Sequence, residues 1–310
     1  MDCLLIMNSN ANKGKTTKLQ DEIINSFKII GYNYKVVKTK SADDARVIAY
    51  EAVGHFDLVA ACGGDGTINE VVDGLLKRSQ ELNLTIEKKP ILAIFPIGRG
   101  NDFAWSLNIK SYDIKSVITN IKNNKQRVTD VGWCKGGRFQ DGSFFVNGLG
   151  IGFEPSVNYR ASKYKKVSGT MSYLVAFVNT MAHYPKPMNL IITSDDGTVE
   201  NINSQQLSIG NGRRMGGAFL MCPKAILDDG LLDFVYAYKP ISRRNILLVG
   251  LKFFKGNQLK DKHFKMKLIK SLIVESDKDN MVIHIDGEMV GTTINKIEIL
   301  IKEKALTIIC

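Results

Sequence analysis

Short apolar runs alternate with segments of helical periodicity through the first 128 residues. Four apolar runs predict strands, at Cys3 to Asn8, Tyr34 to Lys38, Asp57 to Cys62 and Ile91 to Phe95. Four helical segments separate or follow them, at Thr16 to Ile30, at Ala42 to Val53, from Ile68 and from about Asn101. This alternation predicts a doubly wound α/β domain over residues 1–128, with helices on both faces of a parallel sheet.

The hydrophobic pattern changes after Thr129, where closely spaced strand-like runs dominate. They are Ser143 to Asn147, Met188 to Ser194, Gln205 to Gly210, Leu232 to Tyr238, Met266 to Val274, Met281 to Ile285 and Thr293 to Ile301. Helical patterns occur at Ser168 to Thr180 and at Ser242 to Phe254. Residues 129–310 are therefore predicted to form a second, β-rich domain of sandwich type.

Composition fits a cytosolic protein of two domains. The chain has 310 residues, 44% of them hydrophobic and 24% charged. No run approaches the roughly 18 consecutive apolar residues of a membrane span, and the first seven residues lack a basic leader. The five cysteines are dispersed, which favours buried, reduced thiols.

The net charge of +11 is concentrated in one segment. Residues 239–270 contain ten basic residues and a single acid, Asp261. A basic amphipathic helix there would suit peripheral contact with anionic lipid headgroups, and a core-packed helix with solvated lysines is the alternative. We expect no nucleic-acid partner, because no known reader motif or interleaved aromatic pattern is present.

The segment Gly63-Gly64-Asp65-Gly66-Thr67-Ile68-Asn69-Glu70 has the features of a phosphate-binding loop. Its glycines allow a tight turn at a helix start, where backbone N–H groups can face an anion. Thr67 and Glu70 have the spacing of a capping box. Asp65 would repel a phosphate unless a cation lies between them, so the loop suggests metal-assisted chemistry on a nucleotide.

A second loop of similar character, Pro96 to Ala104, follows the Ile91 run and again carries an acid, Asp102. In a parallel sheet the carboxyl ends of the strands share one edge, so both loops are expected to meet in a single crevice.

These two loops resemble the catalytic domain shared by soluble bacterial diacylglycerol kinases, related bacterial lipid kinases, and sphingosine and ceramide kinases. Further matches run from Asn147 to Glu154, from Ala225 to Asp233 and from Ile285 to Glu288, so the resemblance covers almost the whole chain. It implies an ATP-dependent lipid kinase that uses Mg²⁺, with diacylglycerol as the default lipid.

The resemblance also implies a set of nucleotide-binding residues. They are Asn8, Ser9, Asn10, Ala11, Asn12, Lys13, Thr39, Gly64, Asp65, Gly66, Thr67, Ile68, Asn69, Glu70 and Arg99. Ser9 replaces the proline that is usual in the family, and Arg99 replaces a small residue. Arg99 could clamp a phosphate or point outward.

Four carboxylates are the predicted catalytic residues. Asp65 and Asp102 would position Mg²⁺ at the γ-phosphate, although Asp102 could equally be a helix N-cap. The resemblance places the catalytic carboxylate in Asp286-Gly287-Glu288; Glu288 is the first choice for proton acceptor and Asp286 the second.

A structural Mg²⁺ site is implied at a third acidic turn, with the Asp229 side chain and the carbonyls of Ile226 and Leu231 as ligands. A hairpin turn without an ion is the alternative.

Other functions remain open at this level. An NAD kinase shares the first loop, and a non-catalytic nucleotide or lipid sensor could keep the fold. Exposed sheet edges could also pair two copies into a homodimer.

Overall fold

The computed structural model describes residues 1–8, 17–163, 170–276, 278 and 280–310. Its first part contains strands β1 Asp2–Asn8, β2 Asn33–Thr39, β3 Leu58–Gly63 and β4 Ile91–Pro96, and helices α1 Thr17–Ile30, α2 Asp44–Ala52, α3 Asp65–Glu81, α4 Asp102–Ser106 and α5 Ile114–Lys122. The strands are parallel, in the order β2-β1-β3-β4. The predicted α/β fold is confirmed.

Burial explains why β3 and β4 are continuous apolar runs. Both faces of this sheet are covered, so successive residues of a strand enter different cores. Val59 belongs to the apolar cluster that contains Val72 of α3, whereas Leu58 belongs to the cluster that contains Phe27 of α1 and Val117 of α5. Because the four strands are parallel, their carboxyl ends lie at one edge of the sheet, together with the loops that precede α3 and α4.

The second part is rich in strands, as predicted. Its elements are β5 Gln126–Gly136, β6 Phe139–Phe145, β7 Gly148–Gly152, α6 Phe153–Lys163, α7 Thr170–Ala182, β8 Met188–Ser194, β9 Val199–Ser204, β10 Gln206–Gly210, β11 Leu232–Ala237, α8 Ile246–Phe253, β12 Phe264–Ile269, β13 Ser271–Glu275, β14 Met281–Ile285, β15 Glu288–Ile294 and β16 Lys296–Ile309.

Two sheets enclose the core of this β-rich part. One has six strands in the order β12-β11-β10-β7-β14-β15. The other continues the parallel sheet as β4-β16-β13-β8-β9, with β5 paired to β16 and β6 paired to β5. Buried side chains from both sheets, including Leu149, Phe234, Val274 and Ile299, form one apolar cluster between them.

Strand β16 links the two parts of the molecule. It pairs antiparallel with β13 and β5, and its end pairs parallel with β4 through Ile308 and Ile309. Strand β5 runs across residues 128 and 129, where the sequence suggested a domain boundary. That boundary stays a prediction.

Three predicted strands differ from the structure in their boundaries. The run from Ser143 to Asn147 covers the end of β6, Phe139–Phe145, and the other two cross a junction between strands. The run from Met266 to Val274 is two strands, β12 and β13, which belong to different sheets. The run from Thr293 to Ile301 spans the junction of β15 and β16. In both places apolar residues continue through the change of direction, so the hydrophobic pattern gives no signal of it.

The capping box at Thr67 and Glu70 is also wrong. Helix α3 begins at Asp65, with Gly64 as its N-cap residue. The Glu70 carboxylate accepts the backbone N–H of Ala45 at 3.2 Å, at the start of α2. The Glu70 side chain bonds α2 and not the start of its own helix, because α2 and α3 pack together.

Candidate active site

The two glycine loops meet at the carboxyl edge of the parallel sheet, where Gly64 lies against Gly98. A methyl group on Gly64 would come within 3.2 Å of the Gly98 Cα, and one on Gly98 would overlap the Gly64 Cα. The backbone N–H groups of Ile97 and Gly98 both donate to the Gly63 carbonyl, at 3.0 and 3.1 Å. The expected convergence of the loops is confirmed.

Asp65 joins the loops through its carboxylate. The backbone N–H groups of Asp102 and Phe103 donate to Asp65 Oδ1 at 2.6 and 3.3 Å, so Asp65 caps helix α4. Its other oxygen, Oδ2, lies 2.6 Å from the position that a Cβ on Gly100 would occupy. Burial, and then the charge of Asp102, raise the pKa of Asp65 to about 6.

Asp102 is buried and bonded to the second part of the chain. Its Oδ1 accepts Arg214 Nε at 2.6 Å, and its Oδ2 accepts the backbone N–H of Gly217 at 2.9 Å. The suggestion that Asp102 caps its own helix is wrong, because Asn101 is the N-cap residue of α4. Asp102 instead links the first part of the molecule to the loop after β10 through these two hydrogen bonds.

That loop was missed in the sequence. Arg214 also donates to the Gly100 carbonyl at 2.8 Å, and the guanidinium groups of Arg213 and Arg214 each lie 4.9 Å from the centre of the Trp105 ring. Two arginines directly before a methionine and a glycine pair were the only available signal. Nothing local linked them to Asp102.

Asp286 is buried beneath the same region. It has a left-handed backbone, with φ of 47°, and its carboxylate accepts backbone N–H groups of Val146, Asn147 and Gly148 at 2.7, 2.9 and 2.8 Å. The Asn69 amide, oriented to satisfy its partners, donates to Asp286 Oδ2 at 3.0 Å. Burial raises the pKa of Asp286 to about 7 against these bonds, and the charge of Asp65 adds to the rise.

Glu288 lies two residues further along and is partly exposed. Its carboxylate pairs with Arg138 and, at 3.4 Å, with Arg46 of α2. Arg46 also pairs at 2.6 Å with the fully buried Asp73. Glu288 is therefore oriented by two arginines from different elements.

A histidine that the sequence left without a role supports the turn carrying both acids. Nε2 of the buried His284 bonds Glu154 Oε2 on α6, and its Nδ1 accepts the backbone N–H of Gly287 at 3.2 Å. Asn158, also on α6, donates to the Gly287 carbonyl at 3.0 Å. Gly150 leaves room for this pair, because a Cβ there would lie 2.6 Å from Glu154 Oε2.

The residues predicted to bind the nucleotide do not all lie at the surface of the crevice. Asn8 and Thr39 lie at the carboxyl ends of the paired strands β1 and β2, and Asn8 donates to Thr67 Oγ1 at 2.8 Å. The Ile68 side chain is in the core. Gly66 and Arg99 are exposed beside the crevice. Five predicted residues lie outside the described part of the chain: Ser9, Asn10, Ala11, Asn12 and Lys13.

The turn predicted to hold a structural metal lies near β5. The Asp229 side chain accepts the backbone N–H of Leu231 at 3.1 Å, and Asp228 pairs with Arg127. Ile226 is exposed. Among the described residues, no three His, Cys, Asp or Glu side chains are grouped for metal binding. The set of Asp229 and two carbonyls stays a prediction.

The fold and this site define the chain as a two-domain kinase of the kind that has a glycine-loop α/β domain and a β-sandwich domain. Residues 2–134 match the family model of the diacylglycerol kinase catalytic domain, and residues 148–310 match that of the YegS C-terminal NAD kinase beta sandwich-like domain. The chain therefore belongs to the diacylglycerol kinase family of lipid kinases, as its motifs suggested.

Individual relatives agree with this assignment. The chain is 27% identical to a diacylglycerol kinase of Bacillus subtilis (strain 168), over 93% of this chain and 89% of the relative. The crystal structure of a diacylglycerol kinase from Bacillus anthracis str. Sterne has the same fold, with a TM-score of 0.72, 23% identity, and coverage of 99% and 96%. A yeast NADH kinase crystallised with NADH shares the fold more distantly, with a TM-score of 0.55, 10% identity, and coverage of 99% and 82%.

Family membership implies that the protein uses a nucleotide. No helix in the described part of the chain is long and apolar enough to cross a membrane.

Proposed function

We propose that this protein transfers the γ-phosphate of ATP to a lipid hydroxyl, with diacylglycerol as substrate and phosphatidic acid as product. The observation that carries the proposal is the contact of the two glycine loops, which brings Asp65 and Asp102 together at the start of two helices in a chain of the diacylglycerol kinase family. The start of α3 attracts phosphate, and the carboxylates of Asp65 and Asp102 beside it attract the accompanying cation.

The triphosphate would lie along the backbone at the start of α3, where Gly66 is exposed. Gly66 has no heavy atom within 4 Å of the position a Cβ would take, so its backbone is open to a ligand. The side chains of Ile68, Asn69 and Glu70 face protein, so their part in nucleotide binding would be limited to their backbone or to support of the loop.

Asp65 is the residue that fits Mg²⁺ best. Its Oδ2 lies beside Gly100. Burial, and then the charge of Asp102, raise the pKa of Asp65, and a bound cation would favour its charged form against both. Asp102 lies beside it and is held by Arg214 and Gly217. When bound, Mg²⁺ would neutralise charge on the migrating phosphoryl group.

Glu288 is our choice for the proton acceptor. Asp286 is buried, and its oxygens already accept three backbone N–H groups, which suits it to hold the turn. Glu288 is accessible and oriented by Arg46 and Arg138, so a lipid hydroxyl could reach it.

The substrate is tested by incubating the purified protein with radiolabelled ATP and Mg²⁺. Diacylglycerol, ceramide and sphingosine would be offered in mixed micelles, and NAD in buffer. We expect labelled phosphatidic acid. Labelled NADP would instead support the NAD kinase alternative, for which the shared sandwich fold is the specific observation. Absence of any labelled product would support a non-catalytic sensor.

The two acids of the turn are separated by conservative substitutions. Glu288→Gln should lower kcat by about 10²-fold or more, because a lost general base acts on the chemical step. It should cost less than about 1 kcal/mol of stability, because its pairs with Arg46 and Arg138 are partly exposed. Asp286→Asn should lower stability by about 3 kcal/mol, because an amide nitrogen would face backbone donors in a buried site. Kinase assays and urea unfolding of both variants check this, and a fully active Glu288→Gln protein would rule out its role as base.

A further inference from the structure

Helix α8 has an apolar face that the described part of the chain leaves largely exposed. Leu247, Leu248, Leu251 and Phe254 are 54%, 65%, 54% and 49% exposed. Their spacing places them on one side of the helix and the residue after it. The opposite side is buried, with Ile246, Val249 and Phe253 in an apolar cluster beneath the helix.

Exposed cations lie at both ends of this face. Arg243 and Arg244 precede the helix and Lys255 follows it, and all three are exposed. Lys252, within the helix, is paired with Asp261 at 2.6 Å. The alternative that this segment is simply a core-packed helix accounts for its buried side and leaves its outer side unexplained.

We propose that α8 docks on an anionic lipid bilayer. Leucine and phenylalanine side chains of an interfacial helix enter the boundary between headgroups and acyl chains, and the flanking arginines and lysine remain at the level of the lipid phosphates. A contact between two copies of this face would be less favourable, because a symmetric dimer places the same cations opposite one another.

The docked face would be close to the active site. The Leu220 backbone N–H donates to the Phe253 carbonyl at 2.8 Å, and the Phe219 and Phe254 rings are 4.6 Å apart. Phe219 and Leu220 belong to the loop after β10, which also contains Arg214 and Gly217, the residues that bond Asp102. If the proposed lipid kinase function holds, the bilayer that carries the substrate would contact helix α8, which packs against the loop that bonds Asp102.

The test is flotation of the purified protein with phosphatidylcholine vesicles, with and without phosphatidylglycerol, in the absence of nucleotide and of diacylglycerol. We expect binding to vesicles that contain phosphatidylglycerol. Leu248→Gln with Leu251→Gln should weaken it about tenfold or more at any salt concentration. Arg243→Gln with Arg244→Gln should weaken it about tenfold at low salt and less at high salt.

Matched controls come from helix α1. Ile29 is 84% exposed, so Ile29→Gln removes one exposed apolar side chain elsewhere on the surface. Lys18 and Lys28 are exposed, so Lys18→Gln with Lys28→Gln removes two exposed cations there. These variants should bind as the parent does. Equal loss in the control and α8 variants, or no vesicle binding by the parent, would overturn the proposal.

Sedimentation equilibrium distinguishes the competing occupant. A self-association that disappears in the Leu248→Gln and Leu251→Gln variant would assign the face to a second copy and contradict bilayer docking. Because neither measurement depends on phosphoryl transfer, a protein without kinase activity could still bind vesicles, and an active kinase could fail to bind them.

Discussion

At the scale of single residues, the candidate active site depends on the close contact of two glycines. Gly64 and Gly98 belong to different loops, and a side chain on Gly98 would meet backbone atoms of Gly64 that cannot move aside as a flexible side chain would. The spacing of Asp65 and Asp102 follows from this contact, because each acid comes shortly after one of the glycines.

Gly98→Ala should therefore separate the loops. We expect a loss of about 2 kcal/mol in the free energy of unfolding, from overpacking, and at least a tenfold loss of kinase activity. Gly66→Ala is the control for stability alone, because no atom lies near the position of a Cβ there in helix α3 and because Gly66 belongs to the proposed triphosphate loop. It should raise stability by up to about 1 kcal/mol through its higher helix propensity. Urea unfolding compares the two, and equal stability changes would contradict the contact.

At the scale of elements, helix α6 supports the turn between β14 and β15. Glu154 and Asn158 reach His284 and Gly287 from the same helix, one turn apart. Burial by itself would lower the pKa of His284, but the charge and hydrogen bond of Glu154, with Asp286 adding to them, leave the pKa above its ordinary value of 6.5. The pair with Glu154 therefore favours the charged form of the histidine, and it does so against the Gly287 N–H, which Nδ1 can accept only while the ring is neutral.

This raised pKa gives a pH dependence of defined sign. A histidine whose pKa is higher in the folded than in the unfolded state stabilises the fold below about pH 6.5, and its contribution is lost as pH rises through the folded pKa. His284→Gln should consequently destabilise the protein more at about pH 6 than at about pH 9.

Thermal unfolding across this range, for the parent, His284→Gln and Glu154→Gln, is the measurement. Both variants should flatten the same part of the profile, because each removes one member of the pair. A His284→Gln profile parallel to that of the parent would mean that His284 does not titrate with the fold.

At the scale of the whole molecule, the two parts are joined by a continuous sheet and by a buried ion pair. Strand β16 extends the parallel sheet into the sandwich, and Arg214 reaches back from the sandwich to Asp102. The candidate active site is therefore built from both parts. The glycine loops come from the first part, and the second part supplies Glu288 and the groups that bond Asp102.

Arg214→Gln tests this coupling. Asp102 would lose its cationic partner while buried, so we expect about 3 kcal/mol of destabilisation and a fall in kcat of about 10-fold or more. Arg127→Gln is the control, because its pair with Asp228 is partly exposed and should contribute less than about 1 kcal/mol. Unfolding and kinase assays compare them, and equal effects would argue against a special role of Arg214.

The sequence by itself determined the α/β and β-rich parts, the two glycine loops and the acids Asp65 and Asp102. These features depend on local signals: apolar period, glycine at a turn, and the shared edge of parallel strands. The position of β8 was predicted to the residue for the same reason, since its apolar pattern ends at a clear turn.

Only the tertiary structure decided which groups surround these acids. Arg214, His284, Glu154 and Asn69 reach the site across sheets and helices, from positions whose local sequence carries no sign of the contact. The division of the run after Met266 into two sheets has the same origin. These contacts, and the pKa values of Asp65 and Asp286, are set by long-range packing and burial. Both depend on the whole fold, so the hydrophobic pattern of a single segment does not reveal them.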